Sequence, residues 1–291
     1  MQTTGITDLR LQDEWNETMG RMVLTELERI FVDNGIDYST PGFYDLPAFR
    51  RVEEKSPQFL EAYSEYVDAC PYADDYLARV RQTVPRLGQM LFAELQEAER
   101  AGACVDISGA FVRMLEQERI WAYAVGGGVT VNFPPESGLP ASHFGVTAPR
   151  KVVAGHMCVR VPPFQVVDIT LSMQHWSAAQ QLFLRQFVIA EESSEAMPTV
   201  WEMIDVDLIE EFRMGAGRTP SMEDVRILTP HVFPFMKRFP AFEIRSGRLP
   251  IKYVLTKIGA SEETLYDLVE PKLNGKSPGE LYTTFRANLR S

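Results

Sequence analysis

Residues 102–126 read GACVDISGAFVRMLEQERIWAYAVG, and residues 155–171 read GHMCVRVPPFQVVDITL. In the first stretch Ile107, Phe111, Met114 and Leu115 recur at i, i+4, i+7 and i+8, the spacing of one apolar helix face. A helix is therefore expected over residues 104–118, followed by a short apolar and aromatic strand over 120–126. In the second stretch β-branched residues lie on both sides of Pro162-Pro163, which predicts strands over 151–161 and 165–171 joined by a proline turn. A cysteine-bearing helix followed by an antiparallel hairpin is an α+β pattern.

Cys104 opens the expected helix, so its sulfur lies beside backbone N–H groups that have no partner within the helix. The helix dipole there favours a thiolate and lowers its pKa, which a nucleophilic cysteine needs near neutral pH. Asp106 also suits a helix start but works slightly against the thiolate. The candidate bases are His143, His156, His175 and His231. His156 lies within an expected strand, between Gly155 and Met157, and Gly155 leaves room for an approaching helix end or substrate. Asp168 follows among Val166, Val167 and Ile169, and a carboxylate in such a strand needs a polar partner.

The turn decides whether His156 and Asp168 meet. A three-residue loop over 161–163 sets them directly opposite one another. A loop over 162–164 makes them diagonal neighbours, roughly 7 to 8 Å apart between backbones. A two-residue loop sends them to opposite faces unless a bulge intervenes, because one step of register flips every side chain.

Each of these residues alone has a plainer reading: a small buried cysteine, a core histidine, an aspartate pairing at a strand end. Together, in the order Cys, His, Asp, they supply a nucleophile, a base and a group that orients the base. His143, in a long loop expected over 132–150, and His175 with Trp176 are placed to border such a site. Cys158 has the strand parity of His156 and reads as core. Gly126-Gly127-Gly128 lacks the Lys-Ser/Thr of a phosphate-binding loop and reads as a flexible strand end. The backbone N–H of Cys104 is one oxyanion donor, and Gln96 is a second candidate.

The flanks read as mainly helical. Met19, Met22, Val23, Leu27 and Ile30 predict an amphipathic helix over residues 9–32, with Asp8 as N-cap and Asn34-Gly35 as its close. Tyr38 to Ala48 reads as a loop. Helices are expected over 57–67 and 75–101, with Pro85 kinking the second. Downstream, helices are expected over 178–195, 199–214 and 261–289, with punctuation at 215–220 and no clear pattern over 225–252.

With 45% hydrophobic and 24% charged residues in 291, the chain can bury a substantial core. A net charge of −11 disfavours nucleic-acid backbones and anionic membranes. No run of about 18 apolar residues spans a membrane and the first ten residues lack a signal pattern, so a cytoplasmic protein is expected. Three cysteines, Cys70, Cys104 and Cys158, with no CxxC pair, fit neither a disulfide framework nor a zinc knuckle. No cofactor or metal is implied.

The residues Gly102-Ala103-Cys104-Val105-Asp106, Gly155-His156-Met157-Cys158-Val159 and Val166-Val167-Asp168-Ile169-Thr170 resemble the Cys, His, Asp core of transglutaminase-like enzymes, a branch of the papain-like fold. The likeness spans residues 100–175. Val105 stands where many members carry a bulky residue, and Met157-Cys158 replaces a frequent Ala-Trp. The resemblance implies a helix bearing Cys104 packed on an antiparallel sheet as a core (102–177); the residue patterns of the flanks, which the resemblance does not reach, give a helical N-terminal region (1–101) and a mainly helical C-terminal region (178–291). It implies Cys104 as nucleophile, His156 as base and acid, and Asp168 as orienting group. The implied activity is a peptidase, amidase or deamidase, or acyl transfer of the transglutaminase type, on a peptide, protein or small amide substrate. An inactive, protein-binding use of the same fold is the alternative. An arylamine acetyltransferase-like enzyme is a weaker one, since that family's Arg-Gly-Gly segment is absent before Cys104.

Overall fold

The computed structural model describes residues 5–146, 155–261 and 263–289, with side chains at residue 18 and from residue 20 onward. Four helices come first: α1 (Gly5–Asp33), α2 (Pro47–Glu53), α3 (Leu60–Ala69) and α4 (Asp74–Glu97). Asp8 lies inside α1 and is not its cap, and α4 runs through Pro85. The expected loop over 38–48 contains a single 3-10 turn, Phe43–Asp45, that buries Phe43 and Tyr44. Phe43 packs edge-to-face on Phe31, Tyr63, Tyr66 and Trp121, an aromatic cluster that fastens α1 and α3 to the start of the sheet.

Next comes α5 (Cys104–Gln117), followed by strands β1 (Tyr123–Val131), β2 (Ser142–Phe144), β3 (His156–Val161) and β4 (Phe164–Asp168). The expected strand over 151–161 lies in part, at 151–154, outside the described residues, as does 147–150 of the expected loop. The three glycines read as a strand end sit in the middle of β1. A Cβ at Gly127 would lie 2.0 Å from the Val254 carbonyl oxygen, and one at Gly128 2.0 Å from that of Glu202, so the run lets neighbouring backbones close in on both sides.

The region beyond residue 178, expected to be mainly helical, carries four of the eight strands among the described residues. After the single turn α6 (Ala178–Gln181) come β5 (Val188–Ala190) and β6 (Ser194–Glu195), where one helix was expected. The β-branched pair Val188-Ile189 aligns with Asp168 and Val167 of β4, and that ladder overrides the helix formers around it. Four short helices follow: α7 (Val200–Met203), α8 (Val206–Ala216), α9 (Met222–Leu228) and α10 (Val232–Arg238). The expected helix over 199–214 breaks at Asp205, whose side chain accepts from the Asp207 N–H and starts α8. The patternless stretch becomes α9, α10, β7 (Phe242–Ser246) and the start of β8 (Leu249–Gly259). The last expected helix shrinks to α11 (Pro278–Leu289).

All pairings in the eight-stranded sheet are antiparallel, in the order β5-β4-β3-β1-β8-β7-β6, with β2 added to β1. The sheet therefore runs across residue 177. Its two ends, β5 and β6, are joined by only residues 191–193, so it cannot lie flat. It curls until β5 contacts β7. Outside the curl, α4, α5 and α11 pack on Ala124, Met157, Val159 and Val167. Tyr123, Val125, Cys158, Val166, Leu255 and Tyr253 belong to a second core that includes the N-terminal aromatic cluster. No helix among the described residues is long and apolar enough to cross a membrane.

Candidate active site

The three predicted residues occupy three element ends. Cys104 is the first residue of α5, His156 the first of β3, and Asp168 the last of β4. The sheet brings the latter two together by a route that the three-residue loops do not describe. Val161 pairs with Phe164, so the turn is the two-residue Pro162-Pro163, the case that separates the faces. A bulge between Val159 and Val161 then shifts the ladder by one, and Val159 faces Val167. Continued along the strands, that register sets Asp168 opposite Cys158 and diagonal to His156, on one face.

His156 Nε2 lies 2.7 Å from Asp168 Oδ2, with both side chains fully buried. The other oxygen, Oδ1, accepts from the backbone N–H groups of Thr170 (3.1 Å) and Leu171 (3.0 Å) and from the Thr170 hydroxyl (3.4 Å). The Tyr253 phenol donates to Oδ2 at 3.1 Å. A carboxylate this deep in the core is tolerated because its lone pairs are occupied. Gly155 sets the approach: its φ is +58°, and a Cβ there would lie 2.4 Å from the Gly127 carbonyl oxygen.

The other side of the ring concerns Cys104. Nδ1 of His156 is buried and has no partner of strict hydrogen-bond geometry, while the Cys104 thiol acts on the ring by charge and hydrogen bonding. Both observations fit a loose thiol–imidazole contact, as is common in sites without substrate. Burial pushes the imidazole towards its neutral form, but the Asp168 charge and hydrogen bond, with help from Cys104, outweigh burial and raise its pKa to about 10. Burial likewise pushes the Cys104 thiol up. The His156 hydrogen bond and charge, and the Met157 backbone N–H bonded to the sulfur, overcome that and hold it below the ordinary thiol value. The arrangement favours thiolate with imidazolium over thiol with imidazole.

The remaining candidates lie elsewhere. His143 Nδ1 is 2.8 Å from the Thr130 hydroxyl, which donates to the buried Glu202, and its ring stacks on Trp201. Its neighbour Phe144 reaches the site, with ring centroid 5.9 Å from that of His156, and Trp176 packs edge-to-face on Phe144. His175, His231 and Gln96 are exposed. Cys158 is buried in the second core, and burial, then the Asp168 charge, push its thiol well up, so it is an inert packing residue. Sequence reasoning missed Tyr253, which lies just past the stretch without periodicity, in residues given no element, and the Met157 N–H, which no residue type reports. Among the described residues no three His, Cys, Asp or Glu side chains are grouped to hold a metal ion.

Comparison of the chain with protein-family models, curated proteins and solved structures returned no match.

Proposed function

We propose that this chain is a thiol-dependent hydrolase or acyltransferase acting on amide or peptide carbonyls, built on a papain/transglutaminase-like core. The observation that carries this reading is the two-sided environment of the His156 ring. Nε2 is held by a carboxylate that no solvent reaches, and the opposite side is left to a thiol whose pKa is lowered. In this reading the Cys104 thiolate attacks the substrate carbonyl carbon, and the electron pair moves to the carbonyl oxygen. His156 then gives its proton to the leaving amine as the C–N bond breaks, leaving a thioester on Cys104. Water or a second amine, deprotonated by His156, attacks the thioester and regenerates the thiolate. Asp168 keeps the ring oriented and supports its positive charge.

A second reading, a binding scaffold with the same core, draws on one observation: Cys104 is only 6% exposed and His156 1%. Fold alone does not decide between them. The pH dependence of iodoacetamide alkylation does, measured on wild type, His156→Ala and Cys104→Ser with the modified residue located by mass spectrometry. The enzyme reading expects labelling at Cys104 well below pH 8.5, slowed by His156→Ala. Labelling that follows an ordinary thiol titration, or none at Cys104 in the folded protein, favours the scaffold.

A further inference from the structure

Val105 and Met157, the residues that follow Cys104 and His156 in the chain, help to line a cavity of about 190 Å³ whose walls also include Gly109, Ala110, Ala124 and Gly259; Cys104 and His156 themselves do not line it. Cys104 belongs to the same core as Met157 and Ala124 of that wall. We infer that this cavity is the acyl-chain subsite of the proposed enzyme, and that it takes an uncharged aliphatic chain of about four to six carbons. The inference rests on Cys104 being the nucleophile.

Three observations set the class of ligand. Apart from Asp106 and Glu270, the lining is apolar or bare backbone with Ser261 as the one hydroxyl, so most of the wall offers little to a polar chain. The two carboxylates at the cavity, Asp106 and Glu270, both reach Arg100, at 3.0 and 3.8 Å. One net negative charge remains there, which repels a carboxylate-ended chain. At roughly 30 Å³ per water-sized group, the volume holds about six heavy atoms.

Gly109 indicates that the space itself is what this position provides. It lies inside α5 with helical backbone, where glycine is a poor residue. A Cβ there would meet nothing nearer than the Ser261 Cβ at 4.0 Å, so neither packing nor backbone geometry calls for glycine. Gly259, by contrast, makes room for Met157: a Cβ on it would lie 2.6 Å from the Met157 methyl and drive that side chain out of position.

The test is acylation by p-nitrophenyl esters from acetate to decanoate. Cys104 sulfur displaces p-nitrophenolate from the ester carbonyl and retains the acyl group as a thioester, located by mass spectrometry. The expected rate rises from acetate to about hexanoate and falls by decanoate. In Gly109→Ala and Gly109→Leu the hexanoate-to-acetate ratio drops at least about tenfold, the scale of one methylene in an apolar pocket. Gly215→Ala, in α8 with open space around it, keeps the wild-type ratio. If acetate acylates Cys104 but the chain-length profile is flat, or the Gly109 variants keep the wild-type ratio, the subsite is wrong and the thiol mechanism stands. If no ester acylates Cys104 in the wild type, the thiol mechanism fails and the subsite fails with it.

Discussion

The phenol of Tyr253 donates to Asp168 Oδ2 from 3.1 Å, the same oxygen that lies 2.7 Å from His156 Nε2. One carboxylate oxygen thus serves a strand neighbour and a residue from β8, two strands beyond β3 in the sheet order. The Tyr253 hydroxyl draws on the negative charge that supports the imidazolium, so it acts on Cys104 through two intervening groups.

Tyr253→Phe and Asp168→Asn should therefore move the alkaline limb of Cys104 alkylation in opposite directions. Removing the phenol hydroxyl strengthens the carboxylate's hold on the imidazolium, so the limb rises above about pH 10. Removing the charge lets burial dominate, and the limb falls towards neutral pH with slower labelling. Tyr253→Phe should also lower stability by about 1.5–3 kcal/mol, the range for a hydrogen bond to a charged group. A pH–rate profile and a urea titration of each variant check both statements.

The His156 pair should also appear in stability against pH. Its pKa is about 10 in the folded chain against the ordinary 6.5 of a solvated histidine, so its stabilisation is complete below pH 6.5 and is lost as pH rises towards 10. The Cys104 shift has the opposite sign. The comparison is therefore made in Cys104→Ala, with and without Asp168→Asn. Urea midpoints of Cys104→Ala should fall across this window, and those of the double variant should not.

Gly155→Ala combines positive φ with a close approach to the Gly127 carbonyl. It should cost about 1–3 kcal/mol, the range for a strained backbone position. It should also slow alkylation at Cys104 in protein that circular dichroism shows to be folded, because Gly155 aims the first residue of β3.

Gly109→Ala should do the reverse. Replacing a helix-interior glycine whose surroundings are open should stabilise the chain by about 1 kcal/mol in urea unfolding. The same variant is expected to accept long acyl chains less well, so stability and chain selection move apart.

Much of the site was legible because it is local. The helix over 104–118 is found over 104–117, and the hairpin carrying His156 and Asp168 sits where the valines and prolines place it. The bulge was not legible: β4 takes three steps from Phe164 to Val167 where β3 takes two from Val161 to Val159, and Gln165 and Val166 have ordinary strand chemistry, so only the pairing reveals the extra residue. Tyr253 was missed for a different reason: it lies 85 residues from Asp168, and nothing local marks a tyrosine that meets a carboxylate across a sheet. Residues 178–195 read as helix because Ala178 to Gln181 favour one. Val188 and Ile189 become strand only because β4 is waiting beside them.

The link of three residues between β5 and β6 bears on how the chain becomes reactive during folding. The helix with Cys104 and the hairpin with His156 and Asp168 are near neighbours in sequence and can form early, whereas Tyr253 arrives only when the sheet curls and its ends meet. Until then water reaches Asp168 and screens the charge that supports the imidazolium, so the thiol of a partly folded chain is unremarkable. Full reactivity is gained with the last long-range closure, and alkylation at Cys104 during refolding should lag behind the recovery of helix.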